Sequence, residues 1–134
     1  MFIYCTDLKQ IEKEHSGDKI IRVDSGIKDY SSILTQIEKA LDIPSKSTLW
    51  DYCHGDIDNI GGENKTVRLL HFEFPDLPES ELEYYIAILN ELDDNLMNLP
   101  DGIGQNRLFI YFPDSLWLEV ENMRQYFAYN DDID

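Results

Sequence analysis

The kind of strand this chain can make limits its fold more than any other feature. Lys19-Ile-Ile-Arg-Val23 and Arg107-Leu-Phe-Ile-Tyr-Phe112 are compact runs of β-branched and aromatic residues, closed by Ser25-Gly26 and by Pro113. Thr66-Val-Arg-Leu-Leu-His-Phe-Glu-Phe74 is a third run rich in strand formers, closed by Pro75 and Pro78. Helical periodicity separates them, so helices cross between strands. Apolar strands joined through helices belong to a parallel sheet covered by those helices. The expected class is α/β: a small three- or four-stranded parallel sheet packed by three to four helices.

The helices have their own signals. After Ser25-Gly26, Asp29 is a plausible N-cap, and Ile33, Leu34, Ile37, Ala40 and Leu41 share one helical face until Pro44 stops it. A second helix is expected from Ser47 or Thr48 to about Ile60, with Leu49, Trp50, Cys53, Ile57 and Ile60 on helical spacing and Gly61-Gly62 as its stop. Ser80 with Glu83 forms a capping box for a third helix, whose buried face is Leu82, Tyr85, Ile86, Leu89, Leu92 and Leu96. Met1 to Tyr4 reads as a short strand, Asp7 to His15 as a helical turn or two, and Asn98 to Asn106 as a loop. Asp114 to Phe127 spaces Trp117, Val120, Met123 and Phe127 like a short helix, and Asn130 to Asp134 is an acidic, frayed end. The 134 residues suit one domain.

Charge narrows the function. The formal net charge is −16, yet 43% of the residues are hydrophobic and 12% aromatic, enough to fold. So acidic a chain repels nucleic acid and suits a basic partner. The N-terminus lacks the charged and apolar regions of a signal peptide, and no apolar run approaches the ~18 residues of a membrane span. The two cysteines, Cys5 and Cys53, form no spaced pair. They read as free thiols in a reduced, cytoplasmic protein.

Catalytic and metal signatures are weak. His15, His54 and His71 fall in no zinc-binding pattern. Cys53 and His54 are neighbours on a helix, about 100° apart, and do not face each other. Asp56-Ile-Asp58-Asn-Ile-Gly61 imitates a calcium loop but puts Ile60 and Val67 where ligands belong. Gly61-Gly62 and Gly102 with Gly104 lack the spacing and the lysine of a phosphate loop. Neither an enzyme nor a cofactor is expected.

The acids are more telling. Helix capping accounts for Glu79, Glu81 and Glu83. It does not account for Asp51, Asp56 and Asp58, which have no Lys or Arg between Lys46 and Lys65 to offset them. Glu91, Asp93 and Asp94 likewise lack basic neighbours at i±4. Like charges crowded on a helix cost stability, so these acids are candidates for partner contact. Tyr52 and His54 share the polar side of the second helix and join the candidate face. Trp50, on a stripe with Cys53 and Ile57, is expected to pack inward.

Several of these pieces, in order, resemble the barstar-type ribonuclease inhibitors. Ile-Ile-Arg-Val-Asp-Ser-Gly, the helix from Tyr30 to Leu41 and Leu41-Asp-Ile-Pro44 match that family's opening strand, glycine turn, first helix and proline stop. Leu49-Trp50-Asp51 stands where its second helix begins. Val67–Phe74, Ser80–Asp94 and Leu108–Phe112 resemble its later strand, acidic third helix and last strand. The likeness runs from about residue 19 to 112, leaving residues 1–18 as an N-terminal extension and 113–134 as a C-terminal one.

The resemblance implies inhibition by plugging a ribonuclease active site with acids that meet its phosphate-binding bases. Asp51 matches the first second-helix aspartate and Glu91 the third-helix glutamate. The family's next aspartate falls on Gly55, with Asp56 beside it, and Ser45-Lys46-Ser47 replaces its aromatic loop. These departures point away from the usual secreted ribonuclease and toward another toxin nuclease, as in contact-dependent growth inhibition. The expectation is an immunity protein, monomeric in a 1:1 complex, whose partner-binding residues are Asp51, Tyr52, His54, Asp56, Asp58, Glu91 and Asp94. The alternative is an acidic interaction module, or nucleic-acid mimic, that binds a basic host protein.

Overall fold

A computed structural model describes residues 1–40, 66–97 and 107–130. It contains strands β1 (Phe2–Cys5), β2 (Lys19–Val23), β3 (Thr66–His71) and β4 (Arg107–Pro113), and helices α1 (Leu8–Glu14), α2 (Tyr30–Ala40), α3 (Glu79–Met97) and α4 (Trp117–Asn130). A 3-10 turn, Asp114–Leu116, leads into α4. The strands form one parallel sheet in the order β1-β4-β3-β2. The class is therefore α/β, as the strand runs imply.

Chain direction accounts for the layers. From β1 the chain crosses to the far edge at β2, then steps back through β3 to β4. A right-handed crossover places its helix on one face for one direction of travel and on the opposite face for the return. Accordingly α1 packs on one face, where Leu8 and Ile11 meet Leu70 and Tyr111. Helices α2, α3 and α4 cover the other.

Strand alternation sorts the side chains between these faces. Ile21 and Val23, Val67 and Leu69, and Leu108, Ile110 and Phe112 point into the main core. There they meet Ile33 and Ile37 of α2, Tyr85, Ile86, Leu89 and Leu92 of α3, and Val120 of α4. Each fully buried isoleucine contributes about 1.5–3 kcal/mol, which holds an α2 of 11 residues that would be marginal alone. Asp29 caps α2 as expected: its carboxylate accepts from the Ser31 backbone N–H at 3.0 Å and from the Ser31 hydroxyl at 2.8 Å. Those two bonds hold the Asp29 carboxyl below the usual aspartate range.

On the face that α1 only partly covers, two arginines lie over aromatic rings. Arg22 sits 4.6 Å from the Phe72 centroid and Arg68 4.7 Å from that of Phe109. Arg68 also donates to Asp18 at 2.8 Å and to the Tyr111 hydroxyl at 2.5 Å.

Two expectations need correction. The third run stops being strand at His71 rather than Phe74; the Phe72 N–H still reaches the Val23 carbonyl, after which the chain turns toward Pro75. The Ser80–Glu83 capping box does not open α3. The Pro78 carbonyl accepts from the N–H groups of Glu81 and Leu82, so the helix starts at Glu79 and Ser80 lies inside its first turn. The inner stripe of α4 is Leu116, Val120 and Met123, at i, i+4, i+7 spacing, and it leaves Trp117 52% exposed.

The expected second helix, the 98–106 loop and the acidic end beyond Asn130 lie outside the described residues. The first 18 residues, expected as an extension, supply β1, whose residues Phe2 to Cys5 pair with Ile110 to Pro113.

Candidate protein-binding face

Helix α3 carries the charge pattern that distinguishes this chain. It has no lysine or arginine, and none occurs anywhere between Arg68 and Arg107. Its inner side is held by Tyr85, Ile86, Leu89 and Leu92, all fully buried. The 3.6-residue period then turns Tyr84, Glu91 and Asp94 outward, and all three are exposed. Positions 84, 87, 91 and 94 form one stripe roughly 15 Å long at 1.5 Å per residue.

Of the expected site residues, Glu91 and Asp94 therefore share the solvent side of α3. Asp51, Tyr52, His54, Asp56 and Asp58 lie outside the described residues, as do Trp50 and Cys53. Asp93, grouped with Glu91 and Asp94 by charge alone, is a correction. It is 5% exposed, and its carboxylate accepts from the Met1 ammonium, which also donates to the Leu108 carbonyl at 2.9 Å. It ties the start of β1 to α3 rather than serving a partner. Its spacing explains this, because Asp93 is four residues from Leu89 and seven from Ile86 and so falls on the buried stripe.

A single arginine braces the seam between α3 and α4 among the described residues. Arg124 donates to the Asn90 side-chain oxygen at 2.9 Å and pairs with Glu121 at 3.1 Å. Its guanidinium lies 3.9 Å from the Phe2 ring centroid. Arg124 is thus engaged at the seam rather than on the outer stripe of α3.

Behind the stripe lies a buried polar pair that residue spacing does not announce. His71 is completely buried and stacks on Phe112, with centroids 4.0 Å apart and planes 10° from parallel. Its Nδ1 lies 2.9 Å from the Tyr111 carbonyl, which can only accept, so Nδ1 carries the proton. Nε2 then accepts from the Tyr85 hydroxyl at 2.6 Å. Burial pulls the His71 pKa down to about 3, against a smaller opposite pull from the Tyr111 carbonyl, and burial pushes Tyr85 well above the usual tyrosine range. Both groups are neutral near pH 7 and closed to solvent. The available signal is the inward register that His71 shares with Val67 and Leu69 in a strand-forming run.

The carboxyl ends of parallel strands are where α/β folds most often bind small ligands. Here Cys5, Asp7 and Asp114 lie at or just past the ends of β1 and β4. Burial raises the Cys5 thiol, which disfavours the nucleophilic thiolate. Asp7 caps α1 by accepting from the Gln10 N–H. No cluster of three or more metal-ligating side chains occurs among the described residues, and no helix among them is long and apolar enough to cross a membrane. Comparison with family models, curated proteins and solved structures finds no match for the chain.

Proposed function

We propose that this protein is an immunity protein that binds a basic nuclease toxin and covers its active site with an acidic helical surface. One observation carries the reading: the solvent side of α3 presents Glu91 and Asp94 on a helix with no basic residue, while its inner side is fixed by the buried Tyr85, Ile86, Leu89 and Leu92. A rigid array of carboxylates imitates the phosphates that a ribonuclease binds, and its field speeds encounter with a cationic cleft. The resemblance of residues 19–112 to barstar-type inhibitors supports the same reading. The action is non-enzymatic, in the cytoplasm, as a monomer in a 1:1 complex without cofactor, and the toxin is of the contact-dependent growth inhibition type. Asp51, Tyr52, His54, Asp56 and Asp58 complete the contact surface with Glu91 and Asp94.

The test uses tagged protein as bait in its source cells, followed by nuclease assay of the captured protein. A basic nuclease that the wild-type bait captures and holds silent, that regains activity once released, and that a Glu91→Lys, Asp94→Lys bait fails to capture, is the expected result. A captured basic protein without nuclease activity would favour the acidic interaction module instead.

A further inference from the structure

We propose that the end of the helical layer above the carboxyl edge of the sheet is an aromatic docking strip for arginine side chains of a basic protein partner. This rests on the reading above and names the apolar anchor of the acidic face. The strip crosses three helices. Tyr30 opens α2, Tyr84 lies in the second turn of α3, and Trp117 and Leu118 open α4.

Two contacts order the helices. Helices α3 and α4 both start at the carboxyl edge and run back across the same sheet face, so they are parallel. The 2.9 Å bond from Arg124 to Asn90 makes them neighbours, and two turns back from these residues, toward the carboxyl edge, lie Trp117 and Glu83. Tyr84 follows Glu83, and its ring lies 5.9 Å from that of Tyr30, which puts α2 beside α3. The order across the layer is therefore Tyr30 of α2, Tyr84 of α3 and Trp117 of α4.

Trp117 and Leu118 are 52% and 60% exposed, and Tyr84 is 45% exposed. Leu116, Val120 and Met123 make the contact of α4 with the core, so the core uses neither Trp117 nor Leu118. Adjacent exposed apolar groups of this size mark interaction sites, and Trp and Tyr are favoured anchors there.

Charge selects the occupant. Asp29, Glu81, Glu83, Asp114 and Glu119 flank the four apolar residues. Helix dipoles account for acids in the first turns; they do not account for aromatic rings exposed among them. A second copy would bring the same acids against these, which disfavours self-association in a chain of net charge −16. Guanidinium suits the strip better than ammonium, because it stacks flat on an aromatic ring while pairing with a carboxylate beside it.

Nona-arginine peptide serves as the probe, titrated into full-length protein labelled with 15N and 5-fluorotryptophan. The Trp117 signal is assigned through Trp117→Phe. The expected result is movement of the Trp117 fluorine signal with the amides of Tyr84 and Leu118. Trp117→Ala removes no charge, so it leaves nonspecific attraction intact while weakening binding about tenfold. Leu118→Ser is a second variant that keeps the test open if Trp117→Ala folds poorly. Shifts confined to the Glu91 and Asp94 side, with unchanged affinity in both variants, would overturn the strip and leave the basic-partner reading standing. No shift anywhere at low salt would overturn both. Sedimentation at high salt showing a dimer that Trp117→Ala dissolves would assign the strip to a second copy and overturn the proposal.

Discussion

The Tyr85 hydroxyl donates to His71 Nε2 at 2.6 Å, joining the inner face of α3 to the inner face of β3 through two fully buried groups. The Tyr111 carbonyl fixes the imidazole tautomer from the opposite side. Tyr85→Phe would keep the ring and remove the donor, leaving a buried Nε2 with no partner. An unsatisfied buried acceptor costs about 1–3 kcal/mol. Urea denaturation should show that loss at pH 7. A midpoint equal to wild type would mean the bond contributes nothing net.

The same pair makes stability depend on pH. His71 titrates near 3 when folded and near its ordinary 6.5 when unfolded, so below 6.5 the unfolded chain binds a proton that the folded chain refuses. Stability from this group is fully present above pH 6.5 and falls as pH drops toward 3. Between pH 7.5 and 5.5, both above the pI of about 4.3, the loss should be about 1.4 kcal/mol. Protonation of other groups adds its own slope, so the comparison is with His71→Leu. The variant should lack this share of the pH dependence; an identical slope in both proteins would sink the assignment.

Two acids of α3, two residues apart, should behave in opposite ways. Glu91 is exposed, and Glu91→Ala should leave the melting midpoint unchanged while weakening the complex. Asp93 is buried against the Met1 ammonium, and Asp93→Ala should lower stability by about 1–3 kcal/mol. Thermal denaturation of the two variants side by side decides between them. Equal midpoints would mean that Asp93 belongs to the solvent face after all.

How far the sequence could be read depends on whether a residue's surroundings are local. The run from Lys19 to Val23 became β2 with the expected bounds, because β-branched residues between turn formers need no distant information. The Asp29 cap and the inner face of α3 followed for the same reason. Glu91 and Asp94 were legible as outward because they fall between the apolar positions of α3. Asp93 was misplaced because charge was weighed before its spacing from Ile86 and Leu89. The spacing of Trp117, Val120 and Met123 announced the last helix, while its inner stripe is Leu116, Val120 and Met123. The pairing of β1 with β4 depends on contacts more than 100 residues apart in sequence, and the closure of His71 by Tyr85 and Phe112 depends on α3 and β4 meeting over β3. No local pattern encodes either.

Arg124 should prove structural although it sits beside an acidic surface. Its guanidinium lies 3.9 Å from the Phe2 ring centroid and bonds Asn90 and Glu121, so one side chain links β1, α3 and α4. Removing it would leave the Asn90 oxygen without its donor and the Glu121 carboxylate without its cation, and would uncover Phe2. Charged hydrogen bonds contribute about 1.5–3 kcal/mol each where buried, and this site is only partly so, which puts Arg124→Ala at about 1–3 kcal/mol. Arg124→Lys keeps the charge but loses the planar stacking and the forked donors. It should therefore recover less than half of the deficit. Urea midpoints for the wild type and the two variants test this, and full recovery by lysine would reduce the role of Arg124 to its charge alone.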